Sequence, residues 1–389
     1  MDGGESVSIR VVDAVARVAA ADWDACAGPD NPFVSHAFLK ALEDSGAVEA
    51  DTGWLPQHLV MEDAGGRVIG CAPAYIKSHS YGEYVFDWGW AEAFERAGGR
   101  YYPKLQVSVP FSPVTGPRLL VRPDGDVAER RAALTAGLME IAKRAKVSSL
   151  HITFPTEAEW KALGEMGLMQ RMGQQFHWHN RGYETFEDFL GALTSRKRKS
   201  ISKERRDANA EVKIETLSGP DLKANHMDAF YAFYMNTVGR KWSNEYLNRT
   251  FFQAIRETMA DKIVLVMASS DGDYVAGAIN LVGSDTLFGR NWGCVERHRM
   301  LYFECCFYRA IDYAIAHKLP KVEAGAQGPH KISRGYLPSP TYSAHWIRDP
   351  NFRSAVADFL KRERRQVEHQ MEALEEERSP YRQDNPGEA

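Results

Sequence analysis

Cysteine is scarce in this chain, and its few thiols are not arranged for structural bonding. The 389 residues include five cysteines, an odd number, and no C-x-x-C pair occurs. Neither a disulfide framework nor a zinc ribbon is therefore indicated. We expect the thiols to remain reduced, as they do in the cytoplasm.

Long hydrophobic runs and an excess of one charge are also lacking. No stretch approaches the ~18 consecutive apolar residues that span a bilayer, and the first ten residues, MDGGESVSIR, lack the pattern of a signal peptide. The 48 basic and 52 acidic side chains give a formal net charge of -4, so no dedicated nucleic-acid binding is expected. The sequence predicts a cytoplasmic protein that could contact the inner membrane peripherally.

Four standard signatures of catalysis or nucleotide binding are missing. The chain has no G-x-S-x-G elbow, no Walker loop G-x-x-x-x-G-K-[ST], no G-x-G-x-x-G turn and no H-E-x-x-H pair. Serine hydrolases, P-loop enzymes and zinc peptidases are identified by these signatures. None of those three classes is supported.

The chain does contain an internal repeat. Its 389 residues suit about two domains. Alternating apolar residues between turn residues predict strands at 57–62, 67–77 and 81–90, and again at 262–268, 274–282 and 286–294. Each set is followed by a predicted helix, at 127–146 or 301–317, and one further strand, at 149–154 or 321–325. A strand, strand, strand, helix, strand order that occurs twice predicts a duplicated α/β protein with mixed sheets.

A short match aligns the two halves and suggests where they divide. Asp87–Trp90 (DWGW) aligns with Asn291–Cys294 (NWGC), so Trp88 and Trp292 are expected at equivalent places in two similar sheets. The expected domains are 1–180, 181–346 and, as a charged C-terminal helix with a loose tail, 347–389.

The densest cluster of reactive side chains lies in 323–346, EAGAQGPHKISRGYLPSPTYSAHW. It follows a predicted strand, and loops at the carboxyl ends of strands commonly carry the sites of α/β proteins. The polar and aromatic residues of this segment are Glu323, Gln327, His330, Lys331, Arg334, Tyr336, Tyr342, His345 and Trp346. Their density favours a functional site over a solvated surface loop.

Two other segments carry weaker signals. His177 and His179 lie on one face of a predicted strand, but no third ligand follows at a diagnostic spacing, so no metal site is expected. Residues 195–206, SRKRKSISKERR, contain seven basic side chains and one acidic side chain. This segment could contact the phosphates of a nucleotide cosubstrate, of tRNA or of an anionic bilayer, or it could be a solvated helix.

Four stretches of the sequence resemble one protein family. They are GGRYYPKLQVSVPFSP (98–113), DFLGALTSRKRKSISKERR (188–206), FYMNTVGRKW (233–242) and the segment from NWGCVE (291–296) through 301–346. In them the chain resembles bacterial predicted N-acyltransferases, described as peptidoglycan biosynthesis or recognition proteins and related to the Fem aminoacyl transferases. The resemblance implies a tandem Gcn5-related N-acetyltransferase (GNAT) fold. The family also includes bacterial ceramide synthases, which join a fatty acyl group from acyl-CoA to the amine of a sphingoid base.

One stretch departs from the GNAT pattern. GNAT domains bind the donor's pyrophosphate on a glycine-containing turn at the start of a helix, where backbone N–H groups meet the anion. The equivalent stretch here, 297–302 (RHRMLY), has no glycine. Arg297 and Arg299 could hold the donor with their side chains instead, or the donor could bind elsewhere or differ from CoA.

The resemblance implies that a primary amine attacks a fatty acyl thioester, with acyl-CoA as cosubstrate, an amino lipid as acceptor and no other cofactor. An alkylamine is mostly protonated at pH 7, so the reaction needs a base that titrates near neutrality. His330 is the first candidate for this base and His345 the second, and Glu323 would orient the histidine or receive the ammonium.

The remaining residues would bind substrate or support the charge changes. Lys331 and Arg334 would hold the acidic part of the donor or the oxyanion, and Tyr336 or Tyr302 would protonate the departing thiolate. Tyr342 is a further candidate for substrate binding. Two alternatives remain open: aminoacyl transfer from tRNA to a cell-wall peptide, and a non-enzymatic module that binds the wall or the membrane.

Overall fold

The computed structural model describes residues 7–241, 245–326 and 328–382. The strands are β1 (Ser8–Val12), β2 (Trp54–Pro56), β3 (His58–Glu62), β4 (Val68–Ala72), β5 (Ala74–Lys77), β6 (Lys104–Val107), β7 (Leu120–Val121), β8 (Ser149–Thr153), β9 (Met169–His179), β10 (Lys213–Leu217), β11 (Ile263–Ser270), β12 (Asp273–Val282), β13 (Thr286–Cys294), β14 (Lys321–Glu323) and β15 (Leu337–Ile347).

The α-helices are α1 (Ala20–Ala27), α2 (His36–Asp44), α3 (Trp88–Arg96), α4 (Val127–Arg144), α5 (Glu157–Glu165), α6 (Phe186–Ala192), α7 (Ser195–Glu211), α8 (Ala224–Lys241), α9 (Arg249–Met259), α10 (Leu301–Phe303), α11 (Arg309–Ala316) and α12 (Pro350–Arg378). A π-helical turn, Glu304–Tyr308, joins α10 to α11. None of the helices in the described ranges is both long and apolar enough to cross a bilayer.

The chain forms two compact units that are not successive segments. Of the described residues, unit 1 holds those of 7–173, 246–255 and 340–368, and unit 2 holds those of 174–245, 256–339 and 369–382. The borders between the units fall inside β9 and β15, rather than near residues 180 and 346.

Unit 2 is built on a sheet in the order β10-β11-β12-β13-β14-β9. Strands β10 to β13 are antiparallel neighbours, β13 and β14 are parallel, and β14 is antiparallel to β9. The helical segment from α10 to α11 connects the parallel pair, and Ile311, Ala314 and Ile315 on it are buried in the same hydrophobic cluster as Leu287 and Val322 of the sheet. The unit therefore has a core formed by a helix on a mixed sheet.

Unit 1 repeats this arrangement. Its larger sheet runs β15-β8-β6-β5-β2, with β8 and β6 parallel and the other neighbouring pairs antiparallel. Helix α4 connects β6 to β8, as the helical segment connects β13 to β14 in unit 2. A smaller antiparallel sheet, β1-β3-β4-β7, completes the unit. In each unit, one parallel strand pair joined by a crossover helix has antiparallel pairs on both sides. This arrangement occurs twice, so the predicted duplication in mixed α/β sheets is confirmed.

The predicted alignment of the halves was wrong in one place. Residues 81–90 were expected to form the third strand, but Trp88 begins α3, whereas Trp292 lies in β13. The strand that corresponds to β13 by its pairing is β6, which lies in a stretch without a clear pattern. Gly82 has a φ of 79°, which favours a turn over an extended strand, and Trp90, Ala91 and Phe94 fall at helical spacing.

Prolines account for two further differences. The expected strand 67–77 is broken at Pro73 into β4 and β5, which belong to different sheets, because proline cannot donate to a sheet ladder. The second half of the expected loop 323–346 forms strand β15 instead. Pro338 and Pro340 lie before the part of this strand, Ser343–Ile347, that pairs with β8.

Candidate active site

The candidate site lies in unit 2, on the segment that follows β14. Gly328 has a φ of 118° and Gly335 a φ of 92°, and between them Pro329–Arg334 forms a 3-10 helix. A Cβ at position 335 would stand 2.7 Å from the ring of Phe189, so both backbone conformation and space require glycine there. The two turns hold His330, Lys331 and Arg334 on one short helical segment.

Lys331 is a buried cation whose hydrogen bonds go to main-chain carbonyls. Its side chain is 2% exposed, and Nζ donates to the carbonyl oxygens of Ala324 at 2.6 Å and Gly325 at 3.0 Å. Burial lowers its pKa to about 8. No carboxylate in the described part of the chain forms an ion pair with it, so it can offer its charge to a ligand.

His330 stands beside this lysine in an aromatic corner. The ring centroids nearest to its imidazole are those of Tyr302 at 6.2 Å, Phe303 at 5.9 Å and Phe307 at 5.9 Å. Partial burial lowers the pKa of His330, and the charges of Arg334 and Lys331 lower it further. The imidazole is therefore neutral at pH 7 and able to accept a proton.

Arg334 is fixed by a carboxylate from another helix. Its Nε and Nη2 donate to Oε2 of Glu204 on α7, at 3.2 and 3.0 Å, and its guanidinium lies 3.4 Å from the ring centroid of Phe303. The hydroxyl of Tyr308 donates to the same carboxylate oxygen. Glu204 therefore joins the 3-10 helix to the π-helical turn, a role that the sequence analysis missed because Glu204 is the one acid in a basic segment.

The helix that begins beside the site is irregular. Its first helical residues follow Met300, which has a φ of 62°, and a π-helical turn interrupts it at Glu304–Tyr308. Such turns are frequent at functional sites. Arg297 and Arg299 are exposed just before the helix, where they are accessible to a donor. Tyr302 is half-buried, and burial raises its pKa.

Two predicted residues of this segment are buried in other roles. Tyr336 is fully buried, and its hydroxyl donates to the carbonyl oxygen of Phe307 at 3.2 Å. Burial raises its pKa well above the ordinary value, so it is poorly placed to protonate a leaving group. Glu323 is buried, its Oε1 lies 2.9 Å from Nζ of Lys321, and it is paired across the sheet with His177.

The structure assigns His345 and Tyr342 to unit 1, apart from the other predicted residues. His345 is buried, with Nδ1 2.7 Å from Nδ1 of His151 and Nε2 2.8 Å from Oγ of Ser343. Tyr342 packs on Trp160 at a centroid distance of 4.7 Å. Both positions follow from the strand β15, which the sequence analysis took for a loop.

Sequence reasoning also missed a buried polar network in unit 1. Nζ of Lys104 lies 2.7 Å from Glu83 Oε2 and 2.5 Å from Asp87 Oδ2, and all three side chains are buried. Burial raises the pKa of Glu83 to about 7 and lowers that of Lys77 to about 7. The one available signal was a lysine inside a short apolar strand, YPKLQV, and it fits a structural ion cluster as well as a site.

The basic segment 195–206 is helical and lies within α7. Arg205 pairs with Glu304 and Asp312, and Arg206 with Asp207. The remaining cations, Arg196, Lys197, Arg198, Lys199 and Lys203, form no ion pair among the described residues. Their charge is available to a phosphate-bearing ligand.

His177 and His179 lie at the end of β9, on the same face of that strand. The Nε2 of His177 lies 3.1 Å from Oε1 of Gln175, and burial lowers the pKa of His177 to about 4. No group of three or more possible ligands is found in the described ranges.

Comparison with known families identifies the family of the chain. Residues 14–383 match the FemAB-like family model, which is described as peptidoglycan biosynthesis/recognition. The chain therefore belongs to the FemAB-like family. None of the curated proteins matches its sequence.

Solved structures agree on the fold at low sequence identity. FemX is 12% identical with a TM-score of 0.56, over 87% of this chain and 98% of that one. The C-terminal domain of a putative lysylphosphatidylglycerol synthetase from Agrobacterium fabrum is 12% identical with a TM-score of 0.52, over 87% and 96%. A tandem GNAT protein from the clavulanic acid biosynthesis pathway is 14% identical with a TM-score of 0.45, over 89% and 99%. The fold is that of FemX and of the synthetase domain, and none of these matches supports the expected acylation of a sphingoid base.

Proposed function

We propose that the protein transfers an activated acyl or aminoacyl group to a primary amine and forms an amide, with the segment 323–335 of unit 2 as its active site. The observation that carries this proposal is the pair of neighbours His330 and Lys331. One is an imidazole that is neutral at pH 7, and the other is a buried cation without a carboxylate partner in the described residues. Fem-like and GNAT-like folds support the reaction class.

The chemistry requires a proton acceptor and a stabilised oxyanion. The amine nitrogen attacks the acyl carbonyl carbon and loses a proton to Nε2 or Nδ1 of His330. The carbonyl oxygen gains negative charge, which the Lys331 ammonium stabilises. Collapse of the intermediate breaks the bond to the leaving oxygen or sulfur, and the proton held by His330 returns to that atom.

The substrate pair that fits the family best is an aminoacyl-tRNA and an amine on a peptidoglycan peptide. Support comes from the family description, from the missing glycine in the turn where GNAT domains bind CoA, and from the five unpaired cations of α7. Arg297 and Arg299 would add contacts to donor phosphates, and Arg334 would stay a positioning residue for His330, since its Nη1 donates to the His330 carbonyl at 2.9 Å.

A second pair, a fatty acyl thioester and an amino lipid, is favoured by one observation. The exposed imidazole of His330 has the rings of Tyr302, Phe303 and Phe307 on one side, at centroid distances of 5.9–6.2 Å. An aromatic corner beside the reacting groups suits an apolar acyl chain better than a polar aminoacyl group.

The test compares both pairs with the same protein. Purified protein receives either aminoacyl-tRNA with a peptidoglycan precursor that bears a free amine, or long-chain acyl-CoA with a sphingoid base, and amide products are measured by mass spectrometry. His330→Ala should lower turnover by ~100-fold or more. His317→Ala, at an exposed histidine of the same unit, is the matched control and should keep full activity.

Each outcome distinguishes between the two substrate pairs and a non-enzymatic binding module. Amide from tRNA and peptide supports the first substrate pair, and amide from acyl-CoA and sphingoid base supports the second. Binding of either donor or acceptor without any amide would overturn the enzymatic proposal in favour of a binding module. Full activity of His330→Ala would overturn its role as base.

A further inference from the structure

Unit 1 contains a cavity that the proposed reaction does not use. Its volume is about 410 Å³, within the range of roughly 300–1,000 Å³ that small-molecule sites occupy. The lining residues are Phe94, Arg100, Tyr102, Pro103, Lys146, Ser148, Arg348, Asp349 and Pro350. They come from α3, from the segment between α3 and β6, from the segment between α4 and β8, and from the start of α12 and the two residues before it.

The charge of this cavity is predominantly positive. Arg100 and Lys146 are exposed, and neither has an acidic partner in the described part of the chain. The only acid in the lining, Asp349, accepts the backbone N–H of Phe352 at 2.7 Å. Two of the three lining cations are therefore free to bind an anion.

The third cation, Arg348, is fixed in place. Its Nη2 donates to the carbonyl oxygens of Ala142 at 3.0 Å and Lys143 at 2.7 Å, at the end of α4. Its Nε is buried and has almost no surface that water can reach, so this atom does not donate into the cavity.

The other walls of the cavity are apolar. Phe94 stacks on Phe352 at a centroid distance of 4.6 Å, and the rings of Tyr102, Pro103 and Pro350 complete the lining. A bare inorganic ion would leave these rings without contacts. An anion that carries a small organic group would satisfy both parts of the lining.

We propose that this cavity binds a phosphate ester, with the phosphate held by Arg100 and Lys146 and the esterified group against Phe94 and Pro350. A phosphate monoester carries up to two negative charges, which matches the two unpaired cations, and its oxygens accept several charge-assisted hydrogen bonds. The proposal does not depend on the acyl transfer in unit 2.

The phosphate could belong to a soluble metabolite or to a phospholipid headgroup. The segment that leads into α3 exposes Tyr81, Phe86 and Trp88, with 47%, 54% and 39% of their surface accessible. Exposed aromatic rings of this kind are enriched where proteins meet the headgroup layer of a membrane. These rings therefore provide a means to separate the two sources.

The experiment measures binding of glycerol 3-phosphate by titration calorimetry and of vesicles with and without phosphatidic acid by co-sedimentation. Arg100→Gln with Lys146→Gln should weaken phosphate binding by about tenfold or more. The matched control, Arg96→Gln with Lys143→Gln, removes the same charge from exposed neighbours outside the lining. The backbone at Lys146 has a φ of 52°, which would strain a β-branched replacement. Glutamine is therefore used at this position.

The outcomes separate the sources and can overturn the proposal. Binding of glycerol 3-phosphate that only the first variant loses supports a soluble ester. Binding only to phosphatidic acid vesicles, lost in the first variant and reduced by Phe86→Ser with Trp88→Ser, supports a lipid headgroup. Equal weakening in both glutamine variants, or no binding of either probe by the unmodified protein, overturns the site.

Discussion

Lys331 is both buried and positively charged, a combination that is unusual for a lysine side chain. Lysine is almost never fully buried unless it is paired, yet within the described ranges the side chain of Lys331 donates hydrogen bonds to two carbonyl oxygens and forms no ion pair. Desolvation lowers its pKa to about 8, so it is mostly charged at pH 7 but close to losing its proton. Its neighbour His330 has a lowered pKa, which places the neutral form at pH 7.

The rate of acyl transfer should therefore depend on pH through both neighbours. The apparent kcat/KM should rise as His330 loses its proton, below its ordinary pKa of 6.5, and fall above pH about 8 as Lys331 loses its own. Lys331→Arg should keep some activity and lose the alkaline decline, because arginine does not titrate in this range.

The ratio of unmodified to Lys331→Arg rates at each pH cancels the titration of the amine substrate. Kinetics between about pH 5 and 9.5 provide this ratio. An alkaline decline that persists unchanged in Lys331→Arg would show that another group controls it.

At the scale of elements, α7 supports the site through one carboxylate. Glu204 accepts hydrogen bonds from Arg334 and Tyr308, which belong to two different helical segments of unit 2. The guanidinium of Arg334 is nearly buried, so its charge depends on this partner.

Glu204→Gln should lower the free energy of unfolding by ~1–3 kcal/mol and reduce kcat more than it raises KM, because a hydrogen bond to a charged group is lost and His330 is less well held. Urea unfolding and steady-state kinetics test this. The control is Glu187→Gln, an exposed acid on α6 of the same unit, which should change neither. If Glu204→Gln and Arg334→Met add independently in the double variant, the two residues do not act as a pair.

A second element-scale prediction concerns the ion cluster of unit 1. Lys104→Met leaves Glu83 and Asp87 buried without their cation and should lower the free energy of unfolding by ~3–5 kcal/mol near pH 8. The pKa of Glu83 is already raised to about 7, and losing Lys104 raises it further.

An acid whose pKa is raised by folding contributes stability at low pH that is lost as pH rises through the folded-state pKa. The stability deficit of Lys104→Met relative to the unmodified protein should therefore grow as pH rises above about 7, where Glu83 is ionised in the unmodified protein and still protonated in the variant. Urea unfolding at several pH values measures this. A deficit that does not change with pH would show that packing, rather than charge, causes the loss.

The elements that the sequence predicted correctly are those with strong local patterns. The three strands at 262–294 match β11, β12 and β13, and the predicted helix 127–146 matches α4 (Val127–Arg144) within two residues. Segment 81–90 failed because alternating aromatic residues resemble a strand even when a glycine with positive φ turns the chain. The prediction for residues 337–347 failed because their prolines suggested a loop, whereas pairing with the distant strand β8 makes them a strand.

The candidate site shows the same limit. His330, Lys331 and Arg334 could be grouped because they are neighbours in the sequence. The placement of His345 beside His151, 194 residues away, and of Glu204 beside Arg334 depends on tertiary contacts that a single sequence does not reveal. Sequence proximity alone therefore missed a supporting residue and did not reveal that His345 belongs to the other unit.

For the whole molecule, a net charge of -4 means that the average field repels a phosphate-rich donor, so attraction has to be local. The unpaired cations of α7 provide such a local patch. Charge reversal at Arg196, Lys199 and Lys203 should weaken binding of a fluorescent tRNA and reduce the slope of log K against log salt concentration by about two to three, because fewer counterions are released.

The matched control reverses Lys361, Arg362 and Arg365, which are exposed on α12, and changes the net charge by the same amount. Fluorescence anisotropy over a range of salt concentrations measures both variants. If tRNA binds through the α7 patch, the α12 variant should retain its affinity apart from a small loss common to both, and CoA should compete only weakly because it carries fewer phosphates. Equal losses in the two variants would mean that net charge alone governs binding and that α7 is a solvated helix.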